Sequence, residues 1–387
     1  MEIRILTQKD IEEVKKLWIY CFESHEPFYS WYFQEYYSSE NTLAIFKEDR
    51  MLSCLQLIPY DIYLRGQVLP TSYVVGVATF PNARNEKSAG RLLEASIKEM
   101  KNRGQSISLL MPFNAGFYYP YQWQFCYHHY KYNIPLDDLK PISSAYGDFE
   151  QIKGLEKVEE MDIIYKDFVK GKHGYVVRDN RKWQLMMEEH EGEKGFGYLL
   201  KAAGLPRGYI LYYLKDDKFT IREMAYTGWD AQRSLFNFIY NHRSQVKDLE
   251  WHAPLDDTAF FFLNDAKEGI SLYPFLMARI INVEKLLTEV CYPASILGET
   301  CLSVKDEIAP WNNQTFHIAV KNGKGQIAAV NKPPIISMDI GALTQLVFGR
   351  LSAGELLGQG KIVGTVSDIE LLDKLFPKCN NYINEYY

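Results

Sequence analysis

The densest run of side chains that could do chemistry in this sequence lies between residues 113 and 125. A phenol has a reference pKa of about 10, so it keeps its proton at neutral pH and can serve as a general acid. Aromatic rings also pack against each other, and for any one ring of this run packing is the simpler interpretation. The run consists of Phe113, Phe117, Tyr118, Tyr119, Tyr121, Trp123 and Phe125.

Cysteine and histidine follow this run, as Cys126, His128 and His129. On a strand, residues 126 and 128 share a face and residue 129 points away. The segment therefore offers two metal ligands at most, and a metal site is a minority interpretation that we do not adopt. No nucleophile-elbow motif and no Ser, His and Asp in the order of a catalytic triad occur, so the sequence does not support a covalent hydrolase.

A second arrangement with chemical potential is a strand, a polar loop and a helix. Residues 73–80 are β-branched and aromatic, and residues 92–103 are predicted to form a helix with Leu93, Ile97 and Met100 on one face. The free amides of a helix N-terminus suit an anion such as a pyrophosphate. Loops of this kind are common, so taken alone this one is most simply structural.

The elements that must position these residues alternate along the whole chain of 387 residues, 45.0 kDa. This length is too great for one ordinary domain. Helical periodicity and alternating strand patterns are interleaved, which predicts an α/β (α+β) fold with mixed sheets. The pattern breaks at about residues 135–150 and changes again near residue 274. We therefore expect three units, at residues 1–140, 150–273 and 274–387.

Composition excludes several classes of protein. The net charge is −6 and no long run of Lys or Arg occurs, so we expect no nucleic-acid partner. No apolar stretch approaches the roughly 20 residues of a membrane span, so we expect no membrane partner. The six cysteines form no CxxC pair, and the N-terminus MEIRILTQKDIEEV lacks the features of a signal peptide. These features favour a cytoplasmic, reduced protein.

Three segments carry a resemblance to a known family. VVGVATFPNARNEKSAGRLLEASIKEM (74–100) resembles the cofactor loop of the GCN5-related N-acetyltransferases, and GFYYPYQWQF (116–125) resembles their aromatic motif after the fifth strand. FLMARIINVEKLL (275–287), together with the tail PKCNNYINEYY (377–387), resembles the Eis-type (enhanced intracellular survival) acetyltransferases. The resemblance covers the whole length. It implies an acetyltransferase domain, a second acetyltransferase-like domain without its own cofactor loop, and a sterol-carrier-protein-like domain that delivers the C-terminus.

The resemblance implies acetyl-CoA as the cosubstrate and no metal. The strand would pair with the pantetheine arm, and the loop with the helix N-terminus would hold the pyrophosphate. Two positions depart from the family pattern, because Lys87 and Gln122 stand where glycine is usual. The residues that the resemblance assigns to the cofactor are Val77, Ala78, Thr79, Arg84, Asn85, Lys87, Ser88 and Ala89.

The resemblance also implies the catalytic groups. Tyr118 matches the family's catalytic tyrosine, which protonates the departing thiolate of coenzyme A. The α-carboxylate of Tyr387 would accept the proton of the attacking amine. Aromatic and acidic residues would form the amine pocket, drawn from Glu23, Glu26, Phe28, Trp31, Tyr36 and Tyr37 after the first helix and from Glu385 in the tail.

These implications predict an acetyl-CoA-dependent N-acetyltransferase that transfers the acetyl group directly to a primary amine. Aminoglycosides, polyamines and lysine side chains are all compatible acceptors, and a homo-oligomer, up to a hexamer, is expected from the family likeness. One alternative is a protein of the same fold whose altered loop no longer binds cofactor, leaving a ligand-binding or assembly role. Another is a lipid carrier acting through the last unit.

Overall fold

The computed structural model describes residues 1–22 and 24–386, and of residues 85 and 86 the backbone alone. Two of the predicted site residues, Glu23 and Tyr387, lie outside the described residues. Among the residues that are described, no helix has both the length and the apolar character needed to cross a membrane.

The structure is built from three β-sheets and the helices that cover them. The strands are β1 (Glu2–Ile5), β2 (Thr42–Lys47), β3 (Arg50–Leu64), β4 (Gln67–Thr79), β5 (Ile107–Leu110), β6 (Gln124–Phe125), β7 (His128–Pro135), β8 (Asp148–Gln151), β9 (Tyr175–Val176), β10 (Phe196–Ala202), β11 (Leu205–Lys215), β12 (Lys218–Tyr226), β13 (Asp248–Ala253), β14 (Ile270–Pro274), β15 (Met277–Ile280), β16 (Gly298–Lys305), β17 (Thr315–Lys321), β18 (Lys324–Ala329), β19 (Ile336–Asp339) and β20 (Ile362–Val363). The helices are α1 (Ile11–Cys21), α2 (Phe28–Trp31), α3 (Ser88–Asn102), α4 (Ala115–Tyr118), α5 (Val158–Phe168), α6 (Asn180–Gly192), α7 (Trp229–Tyr240), α8 (Val283–Glu289), α9 (Ile340–Val347), α10 (Ala353–Gly358) and α11 (Val366–Leu375).

Each sheet mixes parallel and antiparallel pairs, which confirms the predicted mixed α/β class. The first sheet has the order β1-β2-β3-β4-β5-β15-β6, with β9 added at β3. The second has the order β14-β7-β13-β12-β11-β10-β8, and the third β18-β17-β16-β19-β20. Helix α3 packs on the first sheet through the predicted apolar face, since Leu93, Ile97 and Met100 are fully buried.

Two strands cross the predicted unit boundaries. We expected residues 127–134 to close the first unit, but β7 pairs with β13 and β14 of the second sheet. We placed residues 275–287 in the third unit, but β15 pairs with β5 and β6 of the first sheet. The boundaries at 140 and 274 therefore do not coincide with the sheets. Local hydrophobic pattern identifies a strand but not the sheet that it joins, so the exchange could not be read from sequence.

Other predicted elements also differ locally. The segment 24–39, expected to be a loop, forms α2 and a π-helical turn at Tyr32–Tyr36. The long helix expected over residues 341–360 is divided into α9 and α10. Between them Gly349 has a φ of +67°, and Ser352 caps the second helix by accepting a hydrogen bond from the Glu355 amide at 3.0 Å.

Candidate functional site

The candidate site begins where β4 and β5 separate. The two strands pair in parallel only from Ser72–Ser108 to Val74–Leu110, and β4 continues to Thr79 against β3 alone. A cavity of about 530 Å³, the first cavity, lies in this opening. Backbone groups of β4 that lack a neighbouring strand there are available to a ligand. The apolar lining consists of Trp18, Phe22, Phe28, Tyr32, Tyr73, Val75, Val77, Met111, Phe113 and Tyr118.

Strand β4 bulges at this opening. Gly76 and Val77 together face the single residue Leu55 of β3, and Gly76 has a φ of +61°, which glycine adopts without strain. Of the three strand residues predicted for the cofactor, Val77 lines the cavity. Ala78 is buried, and the Thr79 hydroxyl lies 2.9 Å from a serine hydroxyl of β3. Of the three predicted residues, only Val77 thus reaches the cavity, beside the neighbouring lining residues Tyr73, Val74, Val75 and Gly76 of the same strand.

The predicted cofactor loop is a 3-10 turn over Pro81–Glu86 that leads into α3. Helix geometry leaves the amides of Ser88, Ala89 and Gly90 without intrahelical partners. The hydroxyl of Ser88 is buried and has no hydrogen-bond partner among the described residues. Arg84 is exposed, and its guanidinium lies 5.7 Å from the centre of the Tyr20 ring. Of Asn85 only the backbone, part of the 3-10 turn, is described.

Both departures from the family pattern adopt the backbone conformation that glycine would adopt. Lys87 has a φ of +55° and ψ of 26° immediately before α3, and Gln122 has a φ of +67° and ψ of 18° after the aromatic turn. The left-handed region costs a residue with a Cβ roughly 1–2 kcal/mol. The turns are therefore retained, and the substitutions add side chains and strain without redirecting the chain.

Replacement of Lys87 tests this strain. Lys87→Gly is expected to raise the free energy of unfolding by about 1 kcal/mol, because glycine reaches positive φ without a Cβ clash. Lys87→Ala keeps the Cβ and should change the free energy little, which makes it the matched control. Urea denaturation measures both variants. A Lys87→Gly protein less stable than the wild type would contradict the assignment of strain.

Tyr118 is the last residue of α4 and is buried in the wall of the first cavity. Helix α4 begins at Asn114, whose side chain accepts a hydrogen bond from the Gly116 amide at 3.0 Å. Burial raises the pKa of Tyr118 to about 12, so the phenol keeps its proton at neutral pH. Within the described part of the chain no group hydrogen-bonds its hydroxyl, which leaves that proton free for a ligand.

A second cavity, of about 340 Å³, adjoins the first. Four residues of the predicted amine pocket line it, namely Phe28, Trp31, Tyr36 and Glu385, and Tyr37 does not. Glu26 is exposed and accepts two hydrogen bonds from Ser30 in α2, so the structure does not bring it to the cavity. The two cavities share the lining residues Phe28, Tyr32, Met111 and Glu189. The two cavities therefore lie directly next to each other at these four side chains.

The tail of the chain runs between the first two sheets to reach this cavity. The Asn381 amide donates to two backbone carbonyls at 3.0 and 2.8 Å, and His129 Nε2 lies 2.9 Å from the Ile383 carbonyl oxygen. Asn384 and Arg222 exchange hydrogen bonds of 2.8 and 3.0 Å. These contacts fix Glu385 and Tyr386 in the wall of the second cavity.

A buried ion network supports the tail. Arg178 donates to both carboxylate oxygens of Glu223 at 2.6 Å and to Glu385 Oε1 at 2.9 and 3.2 Å. The Arg178 guanidinium holds the pKa of Glu223 at about 2, and its two carboxylate partners hold the pKa of Arg178 well above its ordinary value. Both side chains are 1% exposed. The network holds the Glu385 side chain in a fixed position in the wall of the second cavity. A fixed carboxylate can bind a polar group, so the second cavity suits a polar ligand.

Sequence analysis missed the charged residues that the second unit contributes to the second cavity, Lys182, Glu189 and Arg222. The sequence IREMAY did contain a signal, because an Arg–Glu pair between apolar residues of one strand indicates partnered burial. Lys182 and Glu189 lie on α6, whose exposed and buried positions look like those of any surface helix. Nothing in the neighbouring sequence indicates that these two side chains line a cavity.

The predicted pattern of Cys126, His128 and His129 serves contacts between units. His128 Nδ1 accepts a hydrogen bond from Arg350 at 3.0 Å, and His129 holds the tail as described above. Burial raises the pKa of Cys126. Within residues 1–22 and 24–386, no group of three or more His, Cys, Asp or Glu side chains is placed to hold a metal ion.

Comparisons with known proteins agree with this geometry. Residues 2–126 and residues 174–280 each match an acetyltransferase (GNAT) domain family, and residues 283–384 match a sterol carrier protein domain family. No curated protein sequence matches the chain. The first two matched regions therefore have the fold of GNAT acetyltransferase domains, and the third has that of a sterol carrier protein domain.

Three solved structures with the same fold show the full arrangement. A GCN5-related N-acetyltransferase from Anabaena variabilis is 22% identical with a TM-score of 0.88, and both chains are covered completely. A probable N-acyltransferase from Enterococcus faecalis is 19% identical with a TM-score of 0.90, covering 100% of this chain and 99% of that one. Eis1 from Mycobacterium abscessus is 17% identical with a TM-score of 0.79, again over both whole chains.

The chain thus contains two GNAT acetyltransferase domains followed by a sterol carrier protein domain, and this order of domains is the Eis-type architecture. The family resemblance inferred from the sequence is confirmed. The second GNAT match, over residues 174–280, includes β15, although this strand pairs with β5 and β6 of the first sheet.

Proposed function

We propose that this protein transfers the acetyl group of acetyl-CoA to a primary amine. The observation that carries the proposal is the pair of joined cavities. The first opens between separated strands and contains a protonated phenol, and the second contains carboxylates and the C-terminal tail. Two ligands placed in adjoining cavities meet at the shared wall, which converts transfer between them into an effectively unimolecular step.

Three features of the structure, one in the first cavity and two at the start of α3, support acetyl-CoA as the cosubstrate. The unpaired edge of β4 around Val75–Val77 offers backbone groups to the pantetheine arm. The free amides at the start of α3 and the Ser88 hydroxyl, buried without a partner, offer donors to the pyrophosphate. Lys87, Arg84 and the turn that includes Asn85 lie at the same helix end, where positive charge favours an anion.

The proposed chemistry is direct transfer. The amine nitrogen attacks the thioester carbonyl carbon, a C–N bond forms and the C–S bond breaks. Tyr118 donates its phenolic proton to the departing sulfur, and the proton lost by the amine goes to the α-carboxylate of Tyr387. The path of the tail through Asn384, Glu385 and Tyr386 supports this role for Tyr387, since it leads the chain to the second cavity.

Acetyl-CoA binding is the first test of the proposal. Isothermal titration calorimetry at moderate salt should show micromolar affinity, and an amine panel should then release coenzyme A. Absence of binding at millimolar acetyl-CoA would contradict the proposal and would favour a protein that keeps the fold but has lost its cofactor site. Gly76→Val is a companion variant that should weaken the binding. The added Cβ would lie 3.2 Å from atoms of Trp18 and Gln56, and valine would have to adopt a positive φ.

Extension of the tail tests the proposed proton acceptor. Adding one glycine after Tyr387 moves the carboxylate by one residue, or about 3.5 Å. Turnover is expected to fall by at least roughly a hundredfold, because general base catalysis requires hydrogen-bond reach. Affinity for acetyl-CoA should stay the same, and calorimetry serves as the control. Unchanged turnover would remove Tyr387 from the mechanism.

The resemblance also supports a homo-oligomer of up to six chains in the cytoplasm. Size-exclusion chromatography with light scattering measures the number of chains directly. The aminoglycoside, polyamine and lysine classes remain the acceptors suggested by family likeness.

A further inference from the structure

The described residues that line the second cavity include as many cations as carboxylates, and Glu189 and Lys182 lie toward different ends of it. Within the described residues its lining holds two carboxylates, Glu189 and Glu385, and two cations, Lys182 and Arg222. Glu385 is already paired with Arg178 at 2.9 Å, and Glu189 lies 3.7 Å from Arg222. The described lining therefore carries no excess of negative charge, and the α-carboxylate of Tyr387, which is proposed to accept the amine's proton, would add one.

Lys182 is the cation of this lining that forms no ion pair with a described residue, although the carboxylates of Glu385, Asp179 and Asp61 lie near enough to favour its charge. Its Nζ donates to the Pro59 carbonyl at 2.8 Å and lies 3.7 Å from the centre of the Tyr60 ring. Among the described residues no carboxylate oxygen lies within 4.0 Å of it, and the carbonyl uses only one of its three N–H donors. Burial lowers the pKa of this ammonium, so an added negative charge would stabilise it.

The positions of Glu189 and Lys182 give the cavity a direction. Glu189 lines both the first and the second cavity, so it stands at the end where the acetyl group would arrive. Lys182 lines the second cavity and a third one of about 360 Å³ on its far side, and it does not line the first. A bound molecule with its ammonium near Glu189 therefore points its other end toward Lys182.

From this order we propose that the acceptor is a small primary amine carrying an anionic group, bound with the amine toward Glu189 and the anion on Lys182. The inference rests on the proposed acetyltransferase function and narrows the acceptor from primary amines in general to those that carry an anionic group. A cavity of about 340 Å³ suits a molecule of this size. A carboxylate and a phosphate are both compatible with an ammonium donor, since a lysine recognises either as a point charge.

Matched amines test the proposal. 5-Aminopentanoate and pentylamine present the same primary amine and differ in the carboxylate, and O-phosphoethanolamine and ethanolamine differ in the phosphate. Steady-state release of coenzyme A should give a kcat/KM at least roughly tenfold higher for one anionic amine than for its neutral counterpart. Comparison of the two pairs identifies the anion, and spermidine represents the polycations.

Variants of α6 then locate the effect. Lys182→Met should reduce the preference for the anionic amine roughly tenfold, through KM rather than kcat, and Lys182→Arg should retain most of it. Arg181→Met is the matched control, because this neighbouring cation lines the third cavity but not the second and should leave the preference unchanged. Affinity for acetyl-CoA confirms that each variant is folded.

Two outcomes overturn the inference and can be told apart from failure of the proposed function. The proposed substrate class is refuted if acetyl-CoA binds but pentylamine, ethanolamine or spermidine gives a kcat/KM equal to or higher than that of the anionic amines. It is also refuted if acetyl-CoA binds and neither anionic amine is turned over. A preference for the anionic amine that survives in Lys182→Met refutes the role of Lys182. Absence of acetyl-CoA binding in the wild type instead refutes the proposed function itself.

Discussion

Tyr118→Phe is expected to lower kcat by roughly a hundredfold to ten-thousandfold, the range of a lost general acid. The substitution keeps the ring and its contacts with Phe113 and Phe117, whose centres lie 5.9 and 5.1 Å away, and removes only the hydroxyl. That hydroxyl has no hydrogen-bond partner among the described residues, so its loss should not destabilise the fold. The measurement is steady-state release of coenzyme A at saturating amine.

Two further readouts separate an acid from a packing residue. Affinity for acetyl-CoA should change little in Tyr118→Phe, because the proposed proton transfer occurs only as the C–S bond breaks. Burial raises the pKa of Tyr118 to about 12, so deprotonation of this phenol should not lower the wild-type rate below about pH 11. Phe117→Leu, a neighbouring ring that lines neither cavity, is the control. A Tyr118→Phe enzyme with normal kcat would exclude the phenol as the acid.

Arg178→Met is expected to lower the free energy of unfolding by about 3–5 kcal/mol, the largest stability effect we anticipate from one substitution. The guanidinium is 1% exposed and is the hydrogen-bonding partner of both Glu223 and Glu385. Without the Arg178 guanidinium, the Glu223 carboxylate still accepts hydrogen bonds from the Tyr209 hydroxyl at 2.6 Å and from the Asn384 amide at 3.1 Å. The positive charge that Arg178 places against this carboxylate is then missing. Turnover should fall as well, because Glu385 anchors the tail.

Controls for this prediction use a neighbour and a compensating change. Arg181→Met removes an exposed cation paired with Glu35 at 3.0 Å and should cost no more than about 1 kcal/mol. Arg178→Met combined with Glu223→Gln removes the uncompensated charge and should recover part of the loss. Urea denaturation monitored by tryptophan fluorescence measures all three. A loss below about 1 kcal/mol in Arg178→Met would show that water reaches the network.

The pH dependence of stability follows from the same network. The pKa of Glu223 is lowered from 4.5 to about 2 in the folded protein. A lowered folded-state pKa means that the carboxylate binds protons more tightly in the unfolded chain. Its contribution to stability is therefore fully present above pH 4.5 and is lost as the pH falls toward 2. In Glu223→Gln this part of the acid denaturation should disappear, and urea midpoints at pH 6 and pH 3 would show it.

The sequence by itself determined the family resemblance and the order of two GNAT domains and a sterol carrier protein domain. Strands and helices with strong periodicity, such as α3 with its Leu93, Ile97 and Met100 face, were predicted correctly because burial of one face is a local property. The loop at Lys87 and the turn at Gln122 were located by motif, and their left-handed backbone follows from the glycine that each replaces.

Only the tertiary structure decided which residues surround the second cavity. Trp31 and Glu188 are 157 residues apart, and Arg178 and Glu385 are 207 apart, yet each pair is hydrogen-bonded. These residues come together because β7 and β15 pair in sheets outside their predicted units and because the tail runs to the second cavity. Side-chain periodicity reports which face of an element is buried, but it carries no information on what that face will meet. The charges that give the second cavity its direction could therefore be seen only once the three units were packed together.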